Sequence, residues 1–222
     1  MVRIFLDGPT LAQMAMPVHG YTFNPSLCRK LGVTDYRTFA RLALECSGGK
    51  PVSFEVLADD LPTMNSQARE IASWGENVYV KIPVMTSEGD STALLIHLLS
   101  NKGVKINVTA VMTLAQIRTI ARTLSPNTPS IISIFAGRIA DTGVDPTPLF
   151  IEASRVKHSS TETLWASTRE PYNIKQAESC SADIITLSPE IYSKLSMFGK
   201  DLNEYSRETV KQFLNDSKGI QL

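Results

Sequence analysis

The sequence predicts an α/β protein with a (β/α)8 barrel, the TIM-barrel fold, followed by an additional C-terminal helix. Eight short apolar runs alternate with longer amphipathic stretches along 222 residues. This repeated order of strand and helix signals is typical of a parallel sheet covered by helices. Hydrophobic residues make up 43% of the chain and charged residues 20%, and no stretch has linker-like composition, so we expect one domain over residues 1–222.

The strand candidates are rich in Val, Ile, Thr and Phe and are too short for typical helices. They span residues 2–6, 20–23, 52–57, 78–83, 105–111, 130–135, 163–166 and 183–187. The helical stretches carry apolar residues at helical spacing. They span residues 35–46, 60–74, 90–100, 113–124, 146–156, 171–180, 189–197 and 203–215. The second of them begins at Asp60 with Pro62 just inside, which is a strong helix-start signal.

An open, doubly wound sheet is the alternative to the barrel. Such a sheet more often has a glycine-rich phosphate-binding turn after its first strand. The residues that follow the first strand here read LDGPT, which is not a turn of that kind. The pattern therefore favours the closed barrel.

Composition and charge narrow the classes of function. Twenty-two basic residues balance 22 acidic ones, so we expect neither a nucleic-acid nor a membrane partner. The first ten residues lack a signal-peptide pattern, and Cys28, Cys46 and Cys180 show no CxxC spacing. The three histidines form no ligand motif. These features predict a cytoplasmic protein with reduced thiols and no metal site.

Lys81 is the most informative single residue. It lies within the apolar and aromatic run VYVKIPV, where an unpaired ammonium inside a barrel would be strongly unfavourable. Desolvation favours the neutral amine, which is the form that attacks a carbonyl. An exposed lysine on an edge strand or at a strand end fits the spacing equally well. The spacing alone leaves both interpretations open.

Polar side chains also mark the ends of the other predicted strands. In a (β/α)8 barrel the carboxyl ends of the strands and the loops that follow them meet at one mouth, where active sites lie. Residues in such positions are Asp7, Asn24, Glu55, Asn107, Thr109, Ser133, Arg138, Ser167 and Arg169. A lysine, two carboxylates and two arginines at one mouth indicate a catalytic site.

Seven short motifs in order carry a family resemblance. They are FLD at 5–7, TFNPS at 22–26, SFEV at 53–56, VKIP at 80–83, INVT at 106–109, SIFAGRI at 133–139 and ASTR at 166–169. With them the chain resembles the transaldolase family, which includes the fructose-6-phosphate aldolases, and its length is similar to that of the compact subfamily. The resemblance spans nearly the whole chain.

The resemblance implies catalytic and substrate-binding roles, position by position. Lys81 matches the Schiff-base lysine, Asp7 the acid/base for carbon–carbon cleavage, and Glu55 with Thr109 the pair that holds a catalytic water. The substrate-binding set, which includes the phosphate site of Arg138, Ser167 and Arg169, is Thr22, Asn24, Asn107, Ser133, Phe135, Arg138, Ser167 and Arg169. The family needs neither a metal nor an organic cofactor. Its substrates are sugar phosphates, and its transfer chemistry belongs to the pentose phosphate pathway.

Two positions separate the branches of the family. Aldolases of the family typically have Gln where this chain has Glu55 and Tyr where it has Phe135, whereas classical transaldolases have Glu and Phe. The resemblance therefore implies transfer of a dihydroxyacetone unit, with fructose 6-phosphate or sedoheptulose 7-phosphate as donor. The alternatives are an aldolase that releases dihydroxyacetone and a sugar-phosphate-binding protein without turnover.

The terminal helical stretch has Val210, Phe213 and Leu214 on one face. Short members of the family form ring-like homo-oligomers, some of them decamers, through such a helix. The resemblance therefore implies a homo-oligomer.

Overall fold

The computed structural model describes residues 1–221, and its eight parallel strands close into a barrel in sequence order. Each strand pairs with the next, and the last pairs with the first. The strands are β1 Arg3–Asp7, β2 Gly20–Thr22, β3 Val52–Glu55, β4 Val78–Pro83, β5 Ile106–Val111, β6 Ser130–Ile134, β7 Thr161–Trp165 and β8 Ile184–Leu187. The predicted (β/α)8 barrel is confirmed, and the open sheet is wrong.

The helices follow the strands as predicted, with two additions. In the described part of the chain they are α1 Pro25–Lys30, α2 Tyr36–Ser47, α3 Leu61–Ala72, α4 Ala93–Ser100, α5 Leu114–Thr123, α6 Ala136–Ala140, α7 Thr147–Val156, α8 Asn173–Ser179, α9 Pro189–Ser193 and α10 Leu202–Asp216. Short 3-10 helices cover Ala12–Ala15 and Lys194–Met197. The sequence pattern missed α1 and α6 because six and five residues are too few to show helical periodicity.

Local signals explain where the helices begin. The side chains of Asp35 and Asp60 accept hydrogen bonds from backbone N–H groups in the first turns of α2 and α3. Thr113 and Gln116 form a reciprocal capping box at the start of α5. Each cap satisfies an N–H group that the helix itself leaves unpaired, and a cap contributes about 1 kcal/mol.

Burial on both sides of the sheet positions the site. The helix-facing side chains of the strands are fully buried, as at Phe54, Val80 and Ile82. Inside the barrel, Phe5 lies in an apolar cluster with Ile131, Leu164, Ala166 and Ile184. The Phe5 ring needs Gly20 beside it, since a Cβ at that position would lie 2.6 Å from the ring. This cluster fills the lower interior of the barrel and leaves the upper layer to polar residues.

Strand register places those polar residues side by side. Glu55 pairs with Lys81 across β3 and β4, and Lys81 pairs with Asn107 across β4 and β5. Asp7 pairs with Thr22 across β1 and β2. Because paired residues on parallel strands point to the same face, all five side chains belong to the barrel interior.

The chain divides into two compact units, Met1–Tyr192 and a second that begins at Ser193. The second unit contains α10, close to the predicted span 203–215, and Lys200 pairs with Glu208 within it. No residue of α10 is buried, and Phe213 and Leu214 are 64% and 67% exposed. A single domain over the whole chain stays a prediction. Among residues 1–221, no helix combines the length and the apolar character needed to cross a membrane.

Candidate active site

A cavity of about 600 Å³ lies at the carboxyl ends of the barrel strands. Every predicted site residue except Asn107 lines it. These lining residues are Asp7, Thr22, Asn24, Glu55, Lys81, Thr109, Ser133, Phe135, Arg138, Ser167 and Arg169. They come from most of the strands, so the fold brings together positions that are far apart in the sequence.

Lys81 is buried but not unpaired. Only 4% of the residue is exposed, and its Nζ lies 3.0 Å from Glu55 Oε2. The ammonium also donates to the carbonyl oxygen of Phe23 at 3.2 Å. The alternative of an exposed lysine on an edge strand or at a strand end is therefore wrong, and the register of β3 and β4 supplies a carboxylate that offsets the cost of burying the charge.

Asp7 lies in the same cavity with a different environment. Its Oδ1 accepts a hydrogen bond from the Thr22 hydroxyl at 2.7 Å, and that hydroxyl also contacts Thr186 Oγ1 at 2.7 Å. Burial raises the pKa of Asp7 above its ordinary value, although the Lys81 charge and the Thr22 hydrogen bond act in the opposite direction. A carboxyl group with a raised pKa is suited to exchanging protons with a substrate hydroxyl near neutral pH.

Thr109 supplies a hydroxyl that no described residue pairs. Its Oγ1 is buried and has no hydrogen-bond partner within residues 1–221, and the side chain lines the cavity. The next residue, Ala110, has a φ of 60° where the pairing of β5 with β6 shifts register. A left-handed alanine in a strand stores strain, and such strain is concentrated at functional sites. The bulge therefore holds an unsatisfied hydroxyl in the cavity.

Asn107 is the predicted residue that does not line the cavity. It is fully buried, donates to Ser53 Oγ at 3.0 Å, and accepts from Ser133 Oγ at 2.6 Å. Ser133 itself lines the cavity. In this structure Asn107 orients the Ser133 hydroxyl, and its predicted contact with substrate stays a prediction.

The Asn24 side chain caps a helix with one of its polar atoms and leaves the other free for a ligand. Its Oδ1 accepts from Leu27 N–H at 2.9 Å and so caps α1. The amide Nδ2 group remains as the part of the side chain that can donate to a ligand.

The two arginines both line the cavity. The Arg138 guanidinium lies 5.7 Å from the centroid of the Phe135 ring. Arg169 forms a two-point ion pair with Asp141, from Nε to Oδ1 at 3.1 Å and from Nη2 to Oδ2 at 2.5 Å. These hydrogen bonds lower the pKa of Asp141 below its ordinary value. Ser167 lies between the arginines in sequence and adopts a left-handed φ of 63°.

Sequence reasoning missed several polar residues of the cavity. They are Ser26, Lys30, Thr168, Thr186 and Ser188. Thr186 lies in β8, and its position near a strand end was a usable signal. Lys30 belongs to α1, and Asp141, the partner of Arg169, follows α6. Because neither helix was predicted, the sequence pattern could not place these two residues near the site.

In the part of the chain that the structure describes, no three His, Cys, Asp or Glu residues lie together so that they could hold a metal ion. The polar groups of the cavity are instead an amine, carboxyls, hydroxyls and guanidinium groups. This set can form hydrogen bonds with a polyhydroxylated ligand and ion pairs with an anion.

Comparison with known proteins identifies the family of the chain. The profile of the family described as "Transaldolase/Fructose-6-phosphate aldolase" matches residues 4–221. A "Probable transaldolase" of Methanococcus maripaludis is 36% identical over 181 residues, which cover 80% of each chain. A "Probable transaldolase" of Dehalococcoides mccartyi is 30% identical over 228 residues, covering 99% of this chain and 100% of the relative.

A solved structure shows the same fold at much lower identity. The 3-hexulose-6-phosphate synthase from Salmonella typhimurium superposes with a TM-score of 0.60 over 84% of this chain and 89% of that one, at 14% identity. This likeness supports the barrel architecture alone. The family profile matches nearly the whole length of the chain, and a polar cavity lies at the strand ends. The chain therefore belongs to the transaldolase/fructose-6-phosphate aldolase family of enzymes.

Proposed function

We propose that the chain is a transaldolase that moves a dihydroxyacetone unit between sugar phosphates through a Schiff base on Lys81. The donor is fructose 6-phosphate or sedoheptulose 7-phosphate, and the acceptor is an aldose phosphate. The observation that carries the proposal is the buried Lys81 amine, held 3.0 Å from Glu55 at the wall of a polar cavity. The two relatives described above are each named "Probable transaldolase", which supports the same class of reaction.

In the first half of the reaction, the Lys81 amine attacks the ketose carbonyl and forms a carbinolamine. Before the attack the ammonium must lose a proton, and Glu55 is the adjacent carboxylate that can take it. Glu55 then returns a proton, through water bound to the Thr109 hydroxyl, to the carbinolamine hydroxyl group. That group leaves as water and the protonated imine forms.

In the second half, Asp7 takes the proton of the hydroxyl group on the departing carbon. The neighbouring carbon–carbon bond breaks, its electron pair moves toward the imine, and an aldehyde leaves an enamine on Lys81. Attack of the enamine on an acceptor aldehyde forms a new carbon–carbon bond, and Asp7 gives its proton to the new hydroxyl group. Water then hydrolyses the resulting imine, which releases the product ketose and the Lys81 amine. The raised pKa of Asp7 suits both proton transfers.

The remaining lining residues hold the sugar. Arg138 and Arg169 bind the phosphate with the Ser167 hydroxyl, and Arg169 exchanges part of its contact with Asp141 for phosphate oxygens. Thr22, Asn24 and Ser133 donate to substrate hydroxyl groups. Fixing the far end of the sugar orients its carbonyl toward Lys81.

Trapping of the Schiff base tests the proposal. The protein is incubated with fructose 6-phosphate and borohydride, and its intact mass is measured for wild type, Lys81→Ala and Lys105→Ala. Lys105 is the matched control, because its Nζ donates a hydrogen bond to the carbonyl oxygen of Glu76 and its side chain does not line the cavity. A three-carbon adduct on wild type and Lys105→Ala alone supports the proposal. Absence of an adduct with either donor favours the sugar-phosphate-binding alternative.

Phe135 distinguishes transfer from aldol cleavage. It lines the cavity but has no hydroxyl, so it cannot give a proton to the enamine as a tyrosine could. We expect wild type to release little dihydroxyacetone without an acceptor aldehyde, and Phe135→Tyr to release more. Release by wild type at the rate of transfer would instead identify an aldolase.

We also propose a cytoplasmic homo-oligomer, ring-like and decameric, that serves the pentose phosphate pathway. The apolar residues Val210, Phe213 and Leu214 of α10 are exposed. Their exposure supports assembly, because monomeric proteins rarely leave a contiguous apolar surface in contact with solvent. Light scattering tests the assembly. A monomer in solution, or an oligomer unchanged by Phe213→Glu, would contradict it.

A further inference from the structure

The pairing between β2 and β3 stops just before Glu55. Phe23 N–H donates to the Ser53 carbonyl oxygen at 2.9 Å, as the last bond of the parallel ladder. Its continuation would join Glu55 N–H to the Phe23 carbonyl, and the N–H of residue 25 to the Glu55 carbonyl. Residue 25 is Pro25, which has no N–H. The Glu55 carbonyl on this side therefore needs another partner.

The Phe23 carbonyl is engaged elsewhere. It accepts the hydrogen bond from Lys81 Nζ at 3.2 Å. The gap in the ladder therefore frees an acceptor for the lysine, but it leaves the Glu55 N–H and C=O groups to be satisfied from outside the sheet.

The phenol of Tyr36 occupies this gap. Its Oη accepts from Glu55 N–H at 2.9 Å and donates to the Glu55 carbonyl oxygen at 3.1 Å. A tyrosine hydroxyl can donate and accept at once, so one side chain replaces both strand partners. Burial raises the pKa of Tyr36 above its ordinary value, which keeps the phenol protonated as the donor requires.

Packing fixes the position of this phenol. The Tyr36 ring makes edge-to-face contacts with Phe54 and Trp74, at centroid distances of 6.0 Å and 5.7 Å. Tyr36 is also the first residue of α2, whose start is fixed by the Asp35 cap. The hydroxyl is therefore held by groups that do not line the cavity.

We propose that Tyr36 is a positioning residue, whose hydroxyl holds the backbone of Glu55 so that the carboxylate meets Lys81 Nζ and the Phe23 carbonyl stays free for the same ammonium. The inference rests on the proposed function, since it assigns importance to the Glu55–Lys81 pair. Tyr36 itself touches no substrate. It acts only through Glu55.

Tyr36→Phe tests this role, because it removes the hydroxyl and keeps the ring. We expect the rate of borohydride-trapped adduct formation at saturating fructose 6-phosphate to fall about tenfold or more, since small displacements of a reacting group cost that much. The KM for the donor should stay nearly unchanged, because no phosphate contact is altered. A wild-type rate in Tyr36→Phe would overturn the proposal.

Tyr21→Phe is the matched control. The Tyr21 hydroxyl is also buried and donates to a backbone carbonyl, that of Met14, at 2.5 Å, but it does not line the cavity. Tyr21→Phe loses one phenol–backbone hydrogen bond and Tyr36→Phe loses two, so Tyr36→Phe should lose at least as much thermal stability as the control. The trapping rate should fall in Tyr36→Phe alone, and an equal loss in both would reduce Tyr36 to a structural residue.

A double-mutant cycle shows whether the effect passes through Glu55. In a Glu55→Ala background, Tyr36→Phe should produce no further loss of trapping rate. An undiminished loss there would overturn the proposed route. If wild type itself forms no adduct, the proposed function fails separately. In that case a crystal structure of Tyr36→Phe tests the positioning role directly. A longer distance from Glu55 Oε2 to Lys81 Nζ would support the role, and an unchanged distance would overturn it.

Discussion

Gly137 and Ser167 approach so closely that no side chain fits between them. A Cβ on Gly137 would lie 1.6 Å from the Ser167 carbonyl oxygen, well inside any tolerated contact. Gly137 precedes Arg138 in α6, and Ser167 precedes the segment that carries Arg169. This one contact therefore sets the spacing between the two halves of the proposed phosphate site.

Gly137→Ala should force these halves apart. Because the clash is with backbone, relief requires movement of α6 or of the Ser167 segment. We expect the KM for fructose 6-phosphate to rise about tenfold or more, as is typical when a positioned contact is displaced. Gly143→Ala is the control, since its positive φ of 82° strains the backbone while nothing lies within 4 Å of the added Cβ. An unchanged KM in Gly137→Ala, measured beside that control, would contradict the importance of the contact.

Thr109→Val should separate stability from activity. The substitution removes a buried hydroxyl without a described partner and preserves the shape of the side chain. We expect the free energy of unfolding to change by no more than about 1 kcal/mol, because the hydroxyl has no hydrogen bond to another described residue to lose. Imine formation should slow about 100-fold, as when an acid–base contact is lost. Urea unfolding and borohydride trapping measure the two effects, and a fully active variant would remove Thr109 from the proton relay.

Asp7→Asn tests the raised pKa of this carboxyl. The folded protein holds the Asp7 proton more tightly than the unfolded chain, so ionisation of Asp7 lowers stability as pH rises from the ordinary value of an aspartate through the raised folded value. Asparagine does not ionise, so the Asp7→Asn variant does not lose stability in this way. We therefore expect wild type to become less stable relative to Asp7→Asn across that window, with no such divergence at lower pH. Unfolding curves taken at several pH values measure the difference.

The same substitution should abolish cleavage while leaving the Lys81 adduct. Asparagine cannot take the hydroxyl proton, but imine formation is assigned to Glu55. Trapping with borohydride should then yield an adduct of the whole sugar phosphate instead of the three-carbon unit. A three-carbon adduct on Asp7→Asn would show that another group acts as the base.

Arg169→Lys should weaken binding of the phosphate more than turnover. Lysine keeps the charge but loses the planar fork that now grips Asp141 through two nitrogen atoms. We expect the KM for fructose 6-phosphate to rise about tenfold, as is typical when a charge-assisted bond is lost. With unphosphorylated fructose as donor, wild type and variant should behave alike. Equal effects on both donors would place Arg169 outside the phosphate site.

Much of the fold followed from local pattern. Strand candidates such as 78–83 were correct because short runs rich in β-branched residues favour buried strands, and helix starts such as Asp60 were correct because capping is a local interaction. The short helices α1 and α6 escaped because they contain fewer than two turns. The ordered motifs pointed to the lining residues of the cavity, because the polar residue of each motif lies at or near the end of a predicted strand.

Local patterns in the sequence predicted eight strands that alternate with helices, and the ordered motifs predicted the family and eleven of the residues that line the cavity. The contacts between particular side chains could be read only from the folded barrel: Lys81 with Glu55, Arg169 with Asp141, and Tyr36 with the backbone of Glu55. Such pairs depend on strand register and barrel closure, which bring together residues 19 to 28 positions apart in the chain. A local pattern holds no information about distances across that separation.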